Sequence, residues 1–291
     1  MNIKEFERRL IEKLRIELPK EMGWEIQSYM GKHVNQNNTQ LINIKDSERK
    51  LNRIVALESL FERYNDGMDL ENIVESIATT VSCNFNDAID LLYNFDYIKD
   101  KILAKVVNLP KNRKVLKTLP HKEIEDLAVM YYIVLSSQNN CDSTVTVDYH
   151  MMGYWDISDE ELYDLAMVNT AIQHHPTASS IESLLAEEFD DLPPSPIEML
   201  VVTGDGDYAN GAVYITCKKV LKQLADKLND DIYMLPSSKQ EFIVCRKSDL
   251  DPDSINNLIV DANENVLESG FFLSNHAYEY IRKTNRINSV Y

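Results

Sequence analysis

The 95 residues from Glu123 to Cys217 contain no lysine or arginine, yet they carry 18 Asp and Glu. The rest of the chain holds 29 acids and 30 bases, so the net charge of -17 resides in this one block. Such a block cannot neutralise itself by local salt bridges, and its carboxylates repel one another in any compact state. It must fold with its acids outward, or against cations supplied from elsewhere. It is not a disordered acidic tail, because disorder requires low hydrophobicity. Leu127–Leu135 is a continuous apolar run, and Ser143–Tyr149 alternates polar and apolar residues. The two read as a buried strand and a half-buried neighbour joined by the polar loop Ser136 to Asp142. The β-branched and aromatic content of the run favours strand over buried helix.

A chain of 291 residues can build one large core or two ordinary domains. Its hydrophobic share of 44% and charged share of 26% are those of a soluble globular protein. No apolar run approaches the roughly 18 residues of a membrane span. Met1–Glu5 lacks the apolar core of a signal peptide, so the cytoplasm is the expected compartment, with no membrane partner. Cys83, Cys141, Cys217 and Cys245 are scattered without a CxxC pair, which points to free thiols rather than a zinc ribbon or redox motif.

Periodicity places a first helix at Asn2, with Glu5 at the capping-box position and Phe6, Leu10 and Leu14 on one face, ended by Pro19. Strands follow at Trp24–Tyr29 and Gln40–Ile44, separated by a polar loop with Asn35, Asn37 and Asn38. Two helices come next, one near Ser59–Asn65 and one capped by Asp69 that buries Leu70, Ile73, Val74, Ile77 and Val81. From Lys99 to Lys117 there are seven bases (Lys99, Lys101, Lys105, Lys111, Arg113, Lys114, Lys117) against the single acid Asp100. This stripe reads first as an intramolecular complement to the acidic block, and second as a groove for an anionic ligand.

Within the block, Ser158 and Glu161 form a capping box before Leu162, Leu165, Val168 and Ile172. A short helix is expected at Ser180–Glu188. Three prolines in Leu192–Pro196 exclude helix and central strand, so residues 190–197 read as a linker between lobes at 1–189 and 198–291. Beyond it, strands are expected at Met199–Thr203 and Gly211–Thr216, around a turn at Gly204–Asp207. A helix follows at Cys217–Leu228, then a hairpin of Ile232–Leu235 and Glu241–Cys245 turning through Pro236–Lys239. Asp251 caps a helix with Pro252 in its first turn and Ile255, Leu258, Ile259, Ala262 and Val266 inside. A last strand is expected at Ala277–Ile281. The whole reads as an α+β fold, with mixed sheets and helices packed on one face.

Most site chemistries lack their motifs. There is no GxxxxGK[ST], GxGxxG or HExxH. Asp205, Asp207 and Asn210 surround a glycine turn but lack the twelve-residue calcium loop. His174-His175 before Pro176 reads as a helix end, and His121 and His150 stand alone. No cofactor and no metal is expected. The enzymatic alternative is a hydrolase using Cys141, Ser237 or Ser238 with a distant His121, His150 or His276, without a GxSxG signature. Direct nucleic-acid binding through the block is disfavoured, because phosphate contacts need Lys and Arg.

Several strings resemble an uncharacterised bacterial family, domain of unknown function 5688. They are Val55–Gly67 (VALESLFERYNDG), Leu119-Pro120-His121, Tyr154–Leu162 (YWDISDEEL), Asn210-Gly211-Ala212 and Ile232–Ser238 (IYMLPSS). The resemblance covers nearly the whole chain. It implies a cytoplasmic protein, often encoded in gut anaerobes near mobile elements, with a joint at the Pro-rich segment. It implies no reaction and carries over no catalytic residue.

The leading expectation is a non-enzymatic interaction module whose acidic surface meets a basic protein partner, either a mobile-element accessory or a mimic of nucleic acid. The expected contact residues are Trp155, Asp159, Glu160, Glu161, Glu187, Glu188, Asp190 and Asp191, an aromatic beside acids as in protein contact sites.

Overall fold

The computed structural model describes residues 1–18, 23–33, 36–45, 52–82, 91–138, 141–186, 197–205, 210–265 and 271–291. In chain order the elements are α1 (Ile3–Glu17), β1 (Glu25–His33), β2 (Gln36–Lys45), β3 (Asn52–Ala56), α2 (Leu57–Asn65), α3 (Leu70–Ser82) and α4 (Phe95–Ile98). Then come β4 (Ile102–Asn108), α5 (Leu109–Leu116), β5 (His121–Ile124), β6 (Leu127–Gln138), β7 (Cys141–Thr146), α6 (Tyr149–Trp155), α7 (Asp159–Gln173), β8 (Pro176–Ser180) and α8 (Ile181–Leu185). Last are β9 (Leu200–Gly204), α9 (Lys218–Leu228), β10 (Ile232–Leu235), β11 (Phe242–Arg246), α10 (Pro252–Asn265), β12 (Tyr278–Ile281) and β13 (Arg286–Ser289). The fold is α+β, and the described strand pairings are antiparallel rather than mixed. Among the described residues, no helix is long and apolar enough to cross a membrane.

Two compact units are present, Met1–Tyr97 with Val134–Thr144, and Ile98–Ile133 with Val145–Tyr291. In the first, the meander β1-β2-β3 shares a core with α1, α2 and α3. Asn2 caps α1, its side chain accepting from the Glu5 N–H at 2.9 Å, and Phe6, Leu10 and Leu14 are fully buried. Phe6 packs on Phe61 and Tyr64 with ring centroids 5.3 and 5.4 Å away. Ile73, Val74, Ile77 and Val81 of α3 are buried with it, as the helical spacing predicts. Asn37 and Asn38, expected in a loop, lie in β2, because the pairing with β1 runs on to His33↔Gln36 and the ladder outweighs the low strand propensity of Asn. Asn35 and Pro19 lie outside the described residues.

The second unit contains a six-stranded sheet, β13-β12-β10-β11-β9-β8, and the ladder β4-β6-β5. The Pro-rich segment lies outside the described residues. Strands on either side of it, β8 and β9, pair from Pro176↔Gly204 to Ser180↔Leu200, so the second unit includes chain from both sides of residues 190–197.

Strand β4 is the outer strand of its ladder, so among the described residues one of its backbone edges has no strand beside it. Helix α7 covers that edge with polar side chains. Asn169 Nδ2 donates to the carbonyls of Lys99 (2.6 Å) and Ile102 (3.0 Å), and the Ala104 N–H donates to Thr170 Oγ1 at 2.9 Å. Thr170 Oγ1 in turn donates to the Ala166 carbonyl at 2.7 Å. These contacts set the helix's rotation. Its buried residues are Leu162, Ala166, Met167, Asn169 and Thr170, whereas Val168 and Ile172, expected inside, are 56% and 63% exposed and Leu165 is only half-buried. An edge strand needs backbone partners more than another apolar contact, so the polar stripe faces inward.

Gly211–Thr216, expected as a strand, is instead a fully buried 3₁₀ segment. A β-carbon on Gly211 would lie 2.4 Å from Gln240 O and Thr203 Oγ1 and 2.6 Å from Gly204 N. The close approach, which only glycine permits, seats this segment against β9. From it, the Tyr214 hydroxyl donates to the Thr170 carbonyl (3.2 Å) and, by a short hydrogen bond, to that of His174, satisfying carbonyls at the end of α7. In α10, Ile255 and Ile259 are buried, but Leu258 and Ala262 face outward and Val266 lies outside the described residues.

Two outcomes follow for stability. Gly211→Ala is expected to destabilise the protein by about 1–3 kcal/mol or more through overpacking, read by chemical denaturation. Thr170→Val, which keeps the shape but removes the acceptor used by the Ala104 N–H, is expected to cost about 1–3 kcal/mol, while Thr170→Ser retains most of the stability. Equal loss for Val and Ser would show that the hydroxyl is not what matters.

Candidate functional site

The first turn of α7 concentrates the acids expected to meet a partner. Ser158 caps it, and Glu161 closes the capping box: its carboxylate accepts from Ser158 N (2.9 Å) and Ser158 Oγ (2.7 Å), while its own N–H donates to Ser158 Oγ (3.3 Å). These hydrogen bonds from Ser158 hold the Glu161 carboxyl below its ordinary pKa. Glu161 is therefore committed to the helix start. Asp159 and Glu160 are exposed, as is Asp164 one turn on, and none of the three forms an ion pair among the described residues. Trp155, expected as the aromatic contact, is only 5% exposed and belongs to the core. The aromatic surface beside the acids comes from Tyr149 and Tyr154 of α6, with His150 edge-on to Tyr154 at 5.1 Å. Burial, and then the Asp159 charge, raise the Tyr149 phenol's pKa, which puts the acid next to this ring. Glu187, Glu188, Asp190 and Asp191 lie outside the described residues.

The outward turn of α7 also opens a groove of about 1100 Å³ between β5, α7, the start of α9 and β13. Met167, Val168 and Ile172 supply its apolar wall, and Glu123, Glu125 and Asp164 its acids. Its cations are Lys122, Lys218, Lys219 and Arg286. Three of these four immediately flank the lysine-free block in sequence. Lys122 Nζ lies 3.7 Å from the centre of the Tyr163 ring, whose hydroxyl donates to the Thr216 carbonyl at 3.2 Å. This groove was not legible in the sequence, because Val168 and Ile172 fit a helical core stripe equally well.

A second polar cluster surrounds Asp126, in the turn between β5 and β6 where Glu125 has φ 55°. Its carboxylate accepts from Ser274 Oγ at 3.0 Å and from Tyr278 OH by a short hydrogen bond. His276 Nε2 lies 3.3 Å from Asp126 Oδ1 without a hydrogen-bond alignment. Burial and the adjacent Asp126 charge raise the Tyr278 phenol's pKa well above its ordinary value. Ser274 Oγ donates its hydrogen bond to the carboxylate rather than to the imidazole, so the cluster is not arranged as a serine–histidine nucleophile pair.

Ser238 is buried and its Oγ accepts from the Gln240 N–H at 3.0 Å. Among the described residues, neither Ser237 nor Ser238 makes a hydrogen bond to a histidine. The side chain of Cys141 lies outside the described residues, as does Asp207 of the glycine turn. His121 Nδ1 faces the Leu119 carbonyl at 2.8 Å, and His175 Nδ1 pairs with Asp205 at 3.1 Å. His174 is the C-terminal cap of α7. Among the described residues, no three His, Cys, Asp or Glu side chains gather as a metal-ligand set.

No curated protein and no solved structure matches the chain. The model of a family of unknown function, DUF5688, matches residues 3–282. With nearly its whole length matched, the chain belongs to the DUF5688 family.

Proposed function

We propose that this chain is a non-enzymatic protein-interaction module whose acidic surface around the start of α7 binds a basic partner. The supporting observation is the set of exposed carboxylates Asp159, Glu160 and Asp164, which have no ion-pair partner among the described residues and stand beside the exposed rings of Tyr149 and Tyr154. Carboxylates left without cations in the folded chain cost self-repulsion that a basic partner relieves. Tyrosines supply contact area at small entropic cost. The adjoining groove, with Val168 and Ile172 exposed on its wall, offers an apolar patch next to the acids, as interfaces that combine an apolar centre with a charged rim do. The partner class we favour is a basic protein surface that otherwise holds nucleic acid, met in the cytoplasm, with this chain an accessory of a mobile element.

The test is recovery of the partner by the tagged protein from source cells at low and high salt, with identification by mass spectrometry. Recovery by the unaltered protein is expected to fall with salt, as screening predicts. The triple reversal Asp159→Lys, Glu160→Lys, Asp164→Lys is expected to reduce recovery at low salt by roughly tenfold or more. Glu161 is left intact, because its loss would fray α7 and confuse the result. Recovery unchanged by the triple reversal would overturn the proposal.

A further inference from the structure

The groove beside α7 combines an apolar wall with cations that the rest of the chain leaves unpaired. Met167, Val168, Ala171 and Ile172 of α7 form the wall, with Val168 and Ile172 56% and 63% exposed. From Met167 to Ile172 it runs about 7.5 Å along the helix axis. Ile124 of β5 and Ile287 of β13, both half-buried, add apolar surface to the same groove. Exposed apolar surface rimmed by polar groups is a mark of a binding groove.

The charged lining has an excess of cations. Lys122 from β5, Lys218 and Lys219 from the first turn of α9, and Arg286 from β13 all line this one cavity. None of the four forms an ion pair among the described residues. Two of the three lining acids are engaged elsewhere: Glu123 lies 3.5 Å from His121, and Glu125 accepts from Ser289 Oγ at 3.0 Å. Asp164 is the third. Four cations against three acids leave the lining with one positive charge in excess.

The start of α9 says where a negative group would sit. Two lysines open this helix, although the positive end of a helix dipole disfavours cations and favours an anion. No acid stands in its first turn, and the Cys217 side chain at the N-cap makes no capping hydrogen bond. An anion seated in the groove against this turn would offset both the dipole and the lysine charges.

We infer that the groove binds a small carboxylic acid with an apolar body, as its monoanion. The carboxylate is held by the Lys218 and Lys219 ammonium groups, and the apolar body lies along Val168, Ala171 and Ile172. A monoanion matches the single excess positive charge, whereas a polyanion such as a nucleotide would also meet Glu123, Glu125 and Asp164. A groove of about 1100 Å³ is large enough for such a molecule, and a mostly apolar wall with a few convergent charged groups is the usual make-up of a small-ligand site. Asp159 and Glu160 line no part of it, so the inference stands whether or not the acidic surface binds a protein.

The experiment is calorimetric titration of the full chain with octanoate at low ionic strength. Acetate has the same head without the tail, and octyl glucoside has the same tail on an uncharged head. One saturable site is expected for octanoate, with binding of either comparison compound weaker by about tenfold or more. The double variant Lys218→Gln, Lys219→Gln is expected to weaken octanoate binding about tenfold or more. Ile172→Ser is expected to weaken it about threefold or more through lost apolar contact. All three residues are exposed, so the fold tolerates these changes. Lys227→Gln and Leu258→Ser, exposed and outside the groove, are expected to leave binding unchanged. Absence of saturable binding, equal binding of octyl glucoside, or equal weakening by Lys227→Gln or Leu258→Ser would overturn the inference. Competitive acetylation of the unaltered protein gives a second reading: octanoate protects Lys218 and Lys219 relative to Lys227 if the site exists, and fails to do so if it does not.

Discussion

The open edge of β4 is the constraint on which much of the second unit depends. An edge strand presents unpaired N–H and C=O groups that must be covered or paired. Here the cover is a helix, and it does more than shield, because Asn169 and Thr170 supply the missing hydrogen bonds. Facing those two residues inward fixes the rotation of α7 to within a fraction of a turn. Val168 and Ile172 are then carried to the outside. The groove beside α7 is the direct geometric consequence of satisfying a strand's backbone.

Much of the charge of the acidic block is not cancelled by ion pairs to lysine or arginine among the described residues. The complement expected between the basic stripe and the acidic block is not seen as ion pairs at five of the stripe's seven bases. Lys105, Lys111, Arg113, Lys114 and Lys117 form none among the described residues. The block's acids turn instead to hydrogen-bond donors and to histidine: Glu123 to His121 at 3.5 Å, Asp205 to His175 at 3.1 Å and Asp126 to His276 at 3.3 Å. Glu198 is paired with Arg246, a cation from beyond the block. Carboxylates left exposed at the start of α7 carry one sign of charge, which favours a partner of the other sign.

How much of this was legible in the sequence depended on which force decided each element. Where local signals and burial agree, as with the Asn2 cap and the Phe6, Leu10, Leu14 stripe, or the Ser158–Glu161 box, reading the residues suffices. The hairpin of β10 and β11 was legible for the same reason. The misses came from long-range demands. Gly211–Thr216 alternates like a strand but is held as a 3₁₀ segment by a glycine contact with residues 203, 204 and 240. Strand β4 was hidden because Lys105 and its basic neighbours mark the segment by charge, while Ile102, Leu103, Ala104, Val106 and Val107 are all buried. At the candidate surface the acids were legible but the aromatic was not. Trp155 and Tyr154 are adjacent, and which of the two faces outward depends on how α6 docks.

Helix α7 is held at both ends and along its inner face, and that bears on what its outer face can do. Its first turn is closed by the capping box, and its last carbonyls are taken by Tyr214. The inner face is pinned to β4 through side-chain hydrogen bonds that leave little freedom to slide or roll. A surface fixed in this way presents Asp159, Glu160 and Asp164 at constant spacing before any partner arrives. Binding of the proposed partner to it would lose less conformational entropy than binding to a mobile acidic segment of equal charge, so more of the electrostatic attraction would survive as affinity. The buried polar residues of α7, which look like an inefficient use of a core, are therefore what makes its exposed carboxylates a defined surface.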